Sequence, residues 1–125
     1  MKAVITGGTG FLGQRLAARI LEQGFLFAPS GERQAVSELL LFDSRIPPDH
    51  TVTDKRIKLL EGDIADGATV ARLIDRPDIA VFHLASVVSA GAEQDFELAM
   101  RVNLDGHRHL LDALKALGSR PRYVF

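Results

Sequence analysis

The chain has 125 residues, of which 46% are hydrophobic and 25% charged, and it carries a net charge of −1 and no cysteine. This composition fits one globular domain, and the small net charge gives no basic footprint for nucleic acid or an anionic membrane. The lack of cysteine excludes disulfides, a thiol nucleophile and thiolate metal ligands. Because no apolar run approaches about 18 residues and no signal-peptide pattern is present, we expect a cytoplasmic protein without membrane or nucleic-acid partners.

A glycine-rich turn follows the first predicted strand. Apolar residues 3–5 precede the motif TGGTGFLG at 6–13, whose glycines satisfy both G-x-G-x-x-G and G-x-x-G-x-x-G. Glycine permits backbone angles that bring main-chain N–H groups onto a pyrophosphate. Apolar residues at i, i+4 and i+8 predict a helix over 11–23, ended by Gly24, whose N-terminus attracts the same anion. The stretch is typical of a dinucleotide-binding turn, in which Gly13 lets the helix pack closely on the sheet.

The rest of the chain alternates strand-like and helix-like segments. After a long loop over 24–37, strands are predicted at 38–43, 56–60, 79–85 and 120–125. Helices are predicted at 67–75, with Asp66 as N-cap, and at 93–117, after a small-residue loop over 86–91. Strands separated by helices imply right-handed crossovers. The predicted fold is therefore α/β, a doubly wound parallel sheet of the Rossmann type that stops at about the fifth strand.

Two aspartates follow predicted strands at the edge where such folds bind ligands. Asp43 ends the second strand, where an acid accepts hydrogen bonds from the adenosine ribose; the alternative is a solvated turn residue. A carboxylate there would repel a 2′-phosphate and favours NAD, although Arg45 two residues later keeps NADP possible. Asp63 ends the third strand, where it either accepts from the adenine amino group or caps the turn.

Polar residues within apolar patterns form a second group of candidates. Asn103 interrupts an apolar helical stripe and would need buried partners. It either satisfies a neighbouring carbonyl or organises polar groups beside an active site. His83 is interpreted as a packed or hydrogen-bonded interior residue, and His107 and His109 face different ways on a helix, which does not make a metal site. The stripe consists of Phe96, Met100, Asn103, His107, Leu110, Leu114 and Leu117.

Four motifs together resemble the extended short-chain dehydrogenase/reductase family, which includes nucleotide-sugar epimerases. They are TGGTGFLG at 6–13, GDI at 62–64, HLA at 83–85 and VNLDG at 102–106. The resemblance implies NAD as cofactor, a homodimeric full-length protein, and Asn103 as one member of a catalytic tetrad. The implied cofactor contacts are Gly7, Gly10, Phe11, Leu12, Gly13, Asp43, Asp63, Ile64, Leu84, Ala85 and Ser86.

The stretch from His83 to Gly106 further resembles the D-erythronate dehydrogenases of that family, which oxidise a four-carbon sugar acid with NAD. That resemblance implies that the loop Ser86 to Gly91, with Ser89, faces the nicotinamide and the sugar acid. Two alternatives remain open. One is an NAD-dependent epimerase or dehydratase acting on a nucleotide sugar, and the other is a non-catalytic dinucleotide-sensing protein.

The family's catalytic serine and Tyr-x-x-x-Lys pair follow the strand that ends here with Phe125. Tyr123 is the only tyrosine of the chain, and two residues follow it. We therefore expect residues 1–125 to be the N-terminal NAD-binding portion of a longer enzyme, inactive alone, with the catalytic segment and the substrate domain absent.

Overall fold

Seven strands and five helices make up the computed structural model, which describes residues 1–125 apart from the side chains of residues 89 and 90. The strands are β1 (Lys2–Thr6), β2 (Phe25–Phe27), β3 (Arg33–Ala35), β4 (Glu38–Asp43), β5 (Ile57–Glu61), β6 (Ile79–His83) and β7 (Arg122–Val124). The helices are α1 (Phe11–Gln23), α2 (Gly67–Leu73), α3 (Ser89–Gln94), α4 (Phe96–Met100) and α5 (Gly106–Ala116), and a π-helical segment, Arg101–Asp105, joins α4 to α5.

The central sheet has the strand order β5-β4-β1-β6-β7, and every pairing in it is parallel. The order reverses at β1, where Thr6 lies opposite Phe42 on one side and His83 on the other. In open α/β sheets such a switch point creates a crevice at the carboxyl ends of the strands, where ligands bind. The predicted doubly wound parallel sheet is confirmed.

The sheet is covered on both faces because its central strands are apolar at nearly every position. One face packs on α1 through Ile5, Leu39 and Ile20. The other packs on α2 and α5 through residues such as Leu73 and Leu110. Continuous apolar runs are typical of parallel strands buried on both sides. This two-sided core holds the carboxyl ends of the strands in a fixed arrangement at one edge.

Residues 24–37 are not the plain loop that we predicted. They contain an antiparallel hairpin of β2 and β3, with Phe25 opposite Ala35. The Phe25 and Phe27 rings meet edge to face at 5.6 Å, and the Arg33 guanidinium lies 4.7 Å from the Phe25 ring centre. Strands of three residues carry too little alternation to be recognised from the sequence.

The helix predicted over 93–117 is broken into several pieces. Asp95 has an extended φ of −139° and ends α3, and its side chain caps α4 by accepting from the Leu98 N–H at 2.9 Å. The π segment then shifts the helical phase. Phe96 and Met100 are 66% and 39% exposed, whereas Leu110 and Leu114 are buried, so only the C-terminal part of the predicted apolar stripe faces the core. The loop predicted over 86–91 is also shorter, because α3 begins at Ser89.

Smaller predictions agree with the structure. Helix α1 spans the predicted residues, and Gly24 ends it in the left-handed conformation, with φ of 75°. Asp66 caps α2 by accepting from the N–H groups of Ala68 and Thr69, although α2 ends at Leu73 rather than at residue 75. In the described part of the chain, no helix combines the length and apolar character needed to span a bilayer.

Candidate functional site

A cavity of about 580 Å³ lies at the carboxyl edge of the sheet, where the switch point predicts a ligand. It is bounded by the glycine turn, by the ends of β4, β5 and β6, and by the helical segment before Asn103. Eight residues with predicted roles line it: Gly7, Gly10, Asp43, Asp63, Ile64, Leu84, Ala85 and Ser86. Six others line it that were not predicted: Phe42, Ser44, Gly62, Val87, Leu98 and Val102.

The glycine turn places main-chain N–H groups at the cavity. Gly7 has φ of 68°, and a Cβ added there would lie 3.0 Å from the Ala85 nitrogen. The Gly8 N–H donates to the Phe42 carbonyl oxygen at 3.0 Å, which fixes the turn on β4. The first intrahelical bond of α1 runs from Gln14 N–H to the Gly10 oxygen. The N–H groups of residues 11–13 precede that bond, and this end of the helix suits an anion.

Phe11, Leu12 and Gly13 do not line this cavity. Phe11 and Leu12 are 72% and 65% exposed at the start of α1. Gly13 is buried beneath the turn, where a Cβ would lie 2.7 Å from the Gly8 Cα. Gly13 therefore allows the helix to lie close to the turn, whereas the sequence predicted close packing on the sheet. The contacts of these three residues with a cofactor stay a prediction.

Asp43 is tied into the glycine turn. Its Oδ2 accepts from the Thr9 N–H at 3.1 Å and from the Thr9 hydroxyl at 2.7 Å, and its Oδ1 accepts from the Ser44 N–H at 2.9 Å. The half-buried carboxylate is thus held in one orientation beside the cavity rather than solvated in a turn. The sequence motif contains Thr9, but only the fold shows that the Thr9 hydroxyl donates to Asp43.

Asp63 caps its turn, as one of the two interpretations predicted. Its Oδ1 accepts from the Ala65 N–H at 2.8 Å, and its Oδ2 accepts from Arg101 Nη2 at 2.6 Å. Arg101 was not among the predicted residues, because it lies 38 positions away and no pattern links the two. The predicted contact between Asp63 and an adenine amino group stays a prediction.

Asn103 binds the backbone of Val87 through both ends of its amide. The Val87 N–H donates to Asn103 Oδ1 at 2.8 Å, and Asn103 Nδ2 donates to the Val87 oxygen at 3.0 Å. The prediction of a buried amide was wrong, since Asn103 is exposed; its prediction as a partner of a neighbouring carbonyl was right. This clamp starts from the π segment, a distortion that is frequent at functional sites.

Buried His83 supports the same loop from the sheet side. Its Nδ1 lies 2.7 Å from the Thr6 hydroxyl, which accepts from the Ala85 N–H at 3.2 Å. A hydroxyl that donates to Nδ1 leaves the proton of the neutral imidazole on Nε2. Burial, with repulsion from His107, lowers the pKa of His83 to about 4. His83 is therefore a hydrogen-bonded interior residue, as predicted.

Stability should depend on the protonation of His83. The folded pKa of about 4 lies below the ordinary 6.5, so the unfolded chain binds more protons between these values. We expect the free energy of unfolding to fall by about 3 kcal/mol as the pH drops from about 6.5 to about 4. Urea titrations across that window check this, with His83→Asn as the comparison that removes the slope. A His83 ring proton that titrates near 6.5 by NMR would contradict the prediction.

Tyr123 is a half-buried residue that lies beside His107. Its hydroxyl lies 3.1 Å from His107 Nδ1, and burial raises the pKa of Tyr123 to about 12. A residue that accepts a proton near neutral pH needs a lowered pKa. That Tyr123 is not catalytic stays a prediction.

A second cavity of about 260 Å³ adjoins the first. Ser86 and Asn103 line it together with His107 and Phe125. Leu84, Ala85 and Ser86 line both cavities, so the loop after β6 separates them. Ser89, predicted to bind substrate, lies outside the residues whose side chains the structure describes.

A family model described as the NAD dependent epimerase/dehydratase family matches residues 3–125. The chain belongs to this family. The match confirms the family that the four motifs predicted. The D-erythronate dehydrogenase of Cupriavidus necator is 45% identical over 125 residues, which are 100% of this chain and 38% of that enzyme.

Solved structures of the same family share the fold. The nucleoside-diphosphate-sugar epimerase from Agrobacterium tumefaciens matches with a TM-score of 0.82 at 33% identity, covering 100% of this chain and 36% of that chain. The Bordetella bronchiseptica enzyme WbmH, solved in complex with NAD+, matches with a TM-score of 0.76 at 26% identity, covering 99% of this chain and 38% of that chain. The chain thus spans a little over a third of the length of these relatives.

Proposed function

We propose that this chain binds NAD in the larger cavity and is the cofactor-binding portion of an NAD-dependent oxidoreductase. One observation carries the proposal: a glycine turn, two oriented carboxylates and a helix N-terminus meet around one cavity at the switch point of the sheet. The residues fit a dinucleotide, since Gly7, with φ of 68°, and Gly10 bring the backbone of the turn to the cavity, which the oriented carboxylates of Asp43 and Asp63 also line. Both the family and the bound cofactor of WbmH support NAD.

The residues around the cavity suit the parts of NAD in order along the sheet. The turn at Gly7 and Gly10 would hold the pyrophosphate through main-chain N–H groups. Asp43 would accept from the adenosine ribose hydroxyls, because its carboxylate is already oriented by Thr9. Asp63 and the apolar side chains beside it would receive the adenine. When bound, NAD supplies a hydride acceptor, and the chain's own residues supply binding and orientation.

The substrate that we propose is a small hydroxy acid of the D-erythronate kind. The support is the 45% identity with a D-erythronate dehydrogenase along the whole chain. Ser86, beside the smaller cavity, and Ser89 would then lie towards the nicotinamide and the substrate. The Asn103 clamp would hold that loop in place, and a homodimer of the full-length protein remains an expectation from the family resemblance.

The proposed substrate is tested by mixing the full-length gene product with NAD and D-erythronate and following the absorbance of the reduced nicotinamide. We expect NAD reduction with D-erythronate and little with nucleotide sugars. Binding of NAD without reduction by any four-carbon sugar acid would contradict the substrate while leaving the cofactor intact.

A second candidate is the epimerisation of a nucleotide sugar. The 33% identity with the A. tumefaciens nucleoside-diphosphate-sugar epimerase favours it. Such a reaction uses NAD only transiently, so net absorbance would not change. Product analysis of UDP- and dTDP-sugars by chromatography separates the two candidates.

The 125-residue chain alone should bind NAD but not turn it over. Nothing in the described residues offers a tyrosine with a lowered pKa, and Tyr123 has a raised one. Calorimetry with NAD and absorbance at saturating substrate would measure the two properties separately. Measurable turnover by the isolated chain would overturn this expectation.

A further inference from the structure

An ion pair at one end of the larger cavity fixes the Asp63 carboxylate from two sides. Arg101 Nη2 donates to Oδ2 at 2.6 Å, and the Ala65 N–H donates to Oδ1 at 2.8 Å. One donor comes from the turn after β5 and the other from the start of the π segment. The plane of the carboxylate is therefore determined by two separate parts of the chain.

The ion pair lies at the larger cavity and not in the core. Leu98 and Val102, which flank Arg101 on the helical segment, both line the cavity, as does Asp63 itself. The side chains of Arg101 and Asp63 are 57% and 47% exposed. An exposed ion pair contributes little to stability, so the role argued for this pair rests on its place at the cavity.

We propose that Arg101 is a positioning residue for base recognition, which holds Asp63 so that the site prefers a 6-amino purine to a 6-oxo purine. The proposal rests on the proposed function, because it concerns the adenine end of a bound dinucleotide. It adds a residue that acts through Asp63 and need not touch the cofactor.

The chemistry of the two bases explains why orientation is decisive. Adenine presents N–H donors at position 6, and an ionised carboxylate only accepts. Hypoxanthine presents an oxygen at position 6 and moves its N–H donor to position 1. A carboxylate free to rotate could follow that donor, whereas a fixed one meets the oxygen and repels it. A carboxylate held in one orientation therefore distinguishes the two bases, which its negative charge alone would not do.

The test compares the affinities of the full-length gene product for NAD and for nicotinamide hypoxanthine dinucleotide. The variants are Arg101→Gln, Arg101→Lys and the control Arg108→Gln, which removes an equal charge from an exposed pair with Asp105 at 3.9 Å. We expect the unchanged protein to prefer NAD about tenfold or more. Arg101→Gln should lower that preference to about twofold and weaken NAD itself only about threefold.

Arg101→Lys should restore part of the preference, since it keeps a donor near Oδ2, and Arg108→Gln should match the unchanged protein. The ratio of the two affinities separates the proposal from a purely structural role, because a damaged fold weakens both dinucleotides alike. If Arg101→Gln still binds NAD and its ratio of affinities for the two dinucleotides is unaltered, the role of Arg101 is overturned while the proposed function stands. Binding of neither dinucleotide by the unchanged protein overturns the proposed function and this role with it.

Discussion

Gly13→Ala is expected to abolish measurable NAD binding and to lower the free energy of unfolding by about 3 kcal/mol. A Cβ at this position would lie 2.7 Å from both the Cα and the carbonyl oxygen of Gly8, and nearer still to the Gly7 oxygen. The obstructing atoms are backbone, so neither a rotamer change nor a small side-chain shift relieves the overlap. Helix α1 would have to move away from the turn, and its N-terminal N–H groups would move with it.

Gly10→Ala is the matched control for the stability of that variant, while its NAD affinity is read separately because Gly10 lines the cavity. A Cβ there would meet only the Gly7 oxygen, at 3.3 Å, and Gly10 has φ of −72°, which any residue adopts. We expect its unfolding free energy to stay within about 1 kcal/mol of the parent. Urea titration of both variants, with calorimetry against NAD, measures the difference. Equal stability of the two variants would show that the packing of α1 on the turn is not what Gly13 provides.

The glycine turn and the buried parallel strands could be predicted because their causes are local. The motif at 6–13 requires φ angles and close approaches that only glycine allows, as Gly7 and Gly13 show. Continuous apolar runs marked the buried strands, and Asp43 was recognised from its place at the end of one. These features follow from the identity of single residues and from their spacing in the chain.

The partners across the site could not be predicted, because they depend on the phase of a distorted helix. A regular helix would place Asn103 on the stripe of Phe96 and Met100, which are exposed instead. The π segment places Asn103 beside the Val87 backbone and Val102 at the cavity, which Leu98 of α4 also lines. Gly106 allows the start of α5 to lie close to Ile64, since a Cβ there would lie 2.8 Å from an Ile64 side-chain carbon.

The loop after β6 is held from both sides, which explains how one short segment can separate two cavities. From the sheet, Thr6 accepts from the N–H groups of Leu84 and Ala85, through its carbonyl oxygen at 3.1 Å and its hydroxyl at 3.2 Å. From the helical layer, Asn103 holds Val87. Backbone that is fixed in this way presents the cofactor with a pre-organised surface, which lowers the entropy cost of binding.

Asp43→Asn should weaken NAD binding by about 10- to 100-fold, because it replaces a charged acceptor of the ribose hydroxyls by a neutral amide. Binding of NADP should change little or improve, since the carboxylate that repels a 2′-phosphate is gone. The preference for NAD over NADP is therefore expected to fall at least about tenfold. Thr9 keeps an acceptor in the amide oxygen, while the Ser44 N–H loses its carboxylate acceptor, so the turn should hold and the free energy of unfolding should drop by about 1 to 2 kcal/mol.

Calorimetry with NAD and NADP measures that preference, and Asp49→Asn supplies the control. Asp49 is an exposed acid six residues along the chain, outside the residues that line the cavity, so its replacement removes the same charge from the protein without touching the turn. The control should bind both dinucleotides as the parent does. If Asp43→Asn kept the parent's preference, the ribose would be recognised elsewhere, and Arg45, two residues after Asp43, would become the residue to replace. The distinction matters because the Asp43 carboxylate is oriented by Thr9 before any ligand arrives, so its selectivity is a property of the folded turn itself.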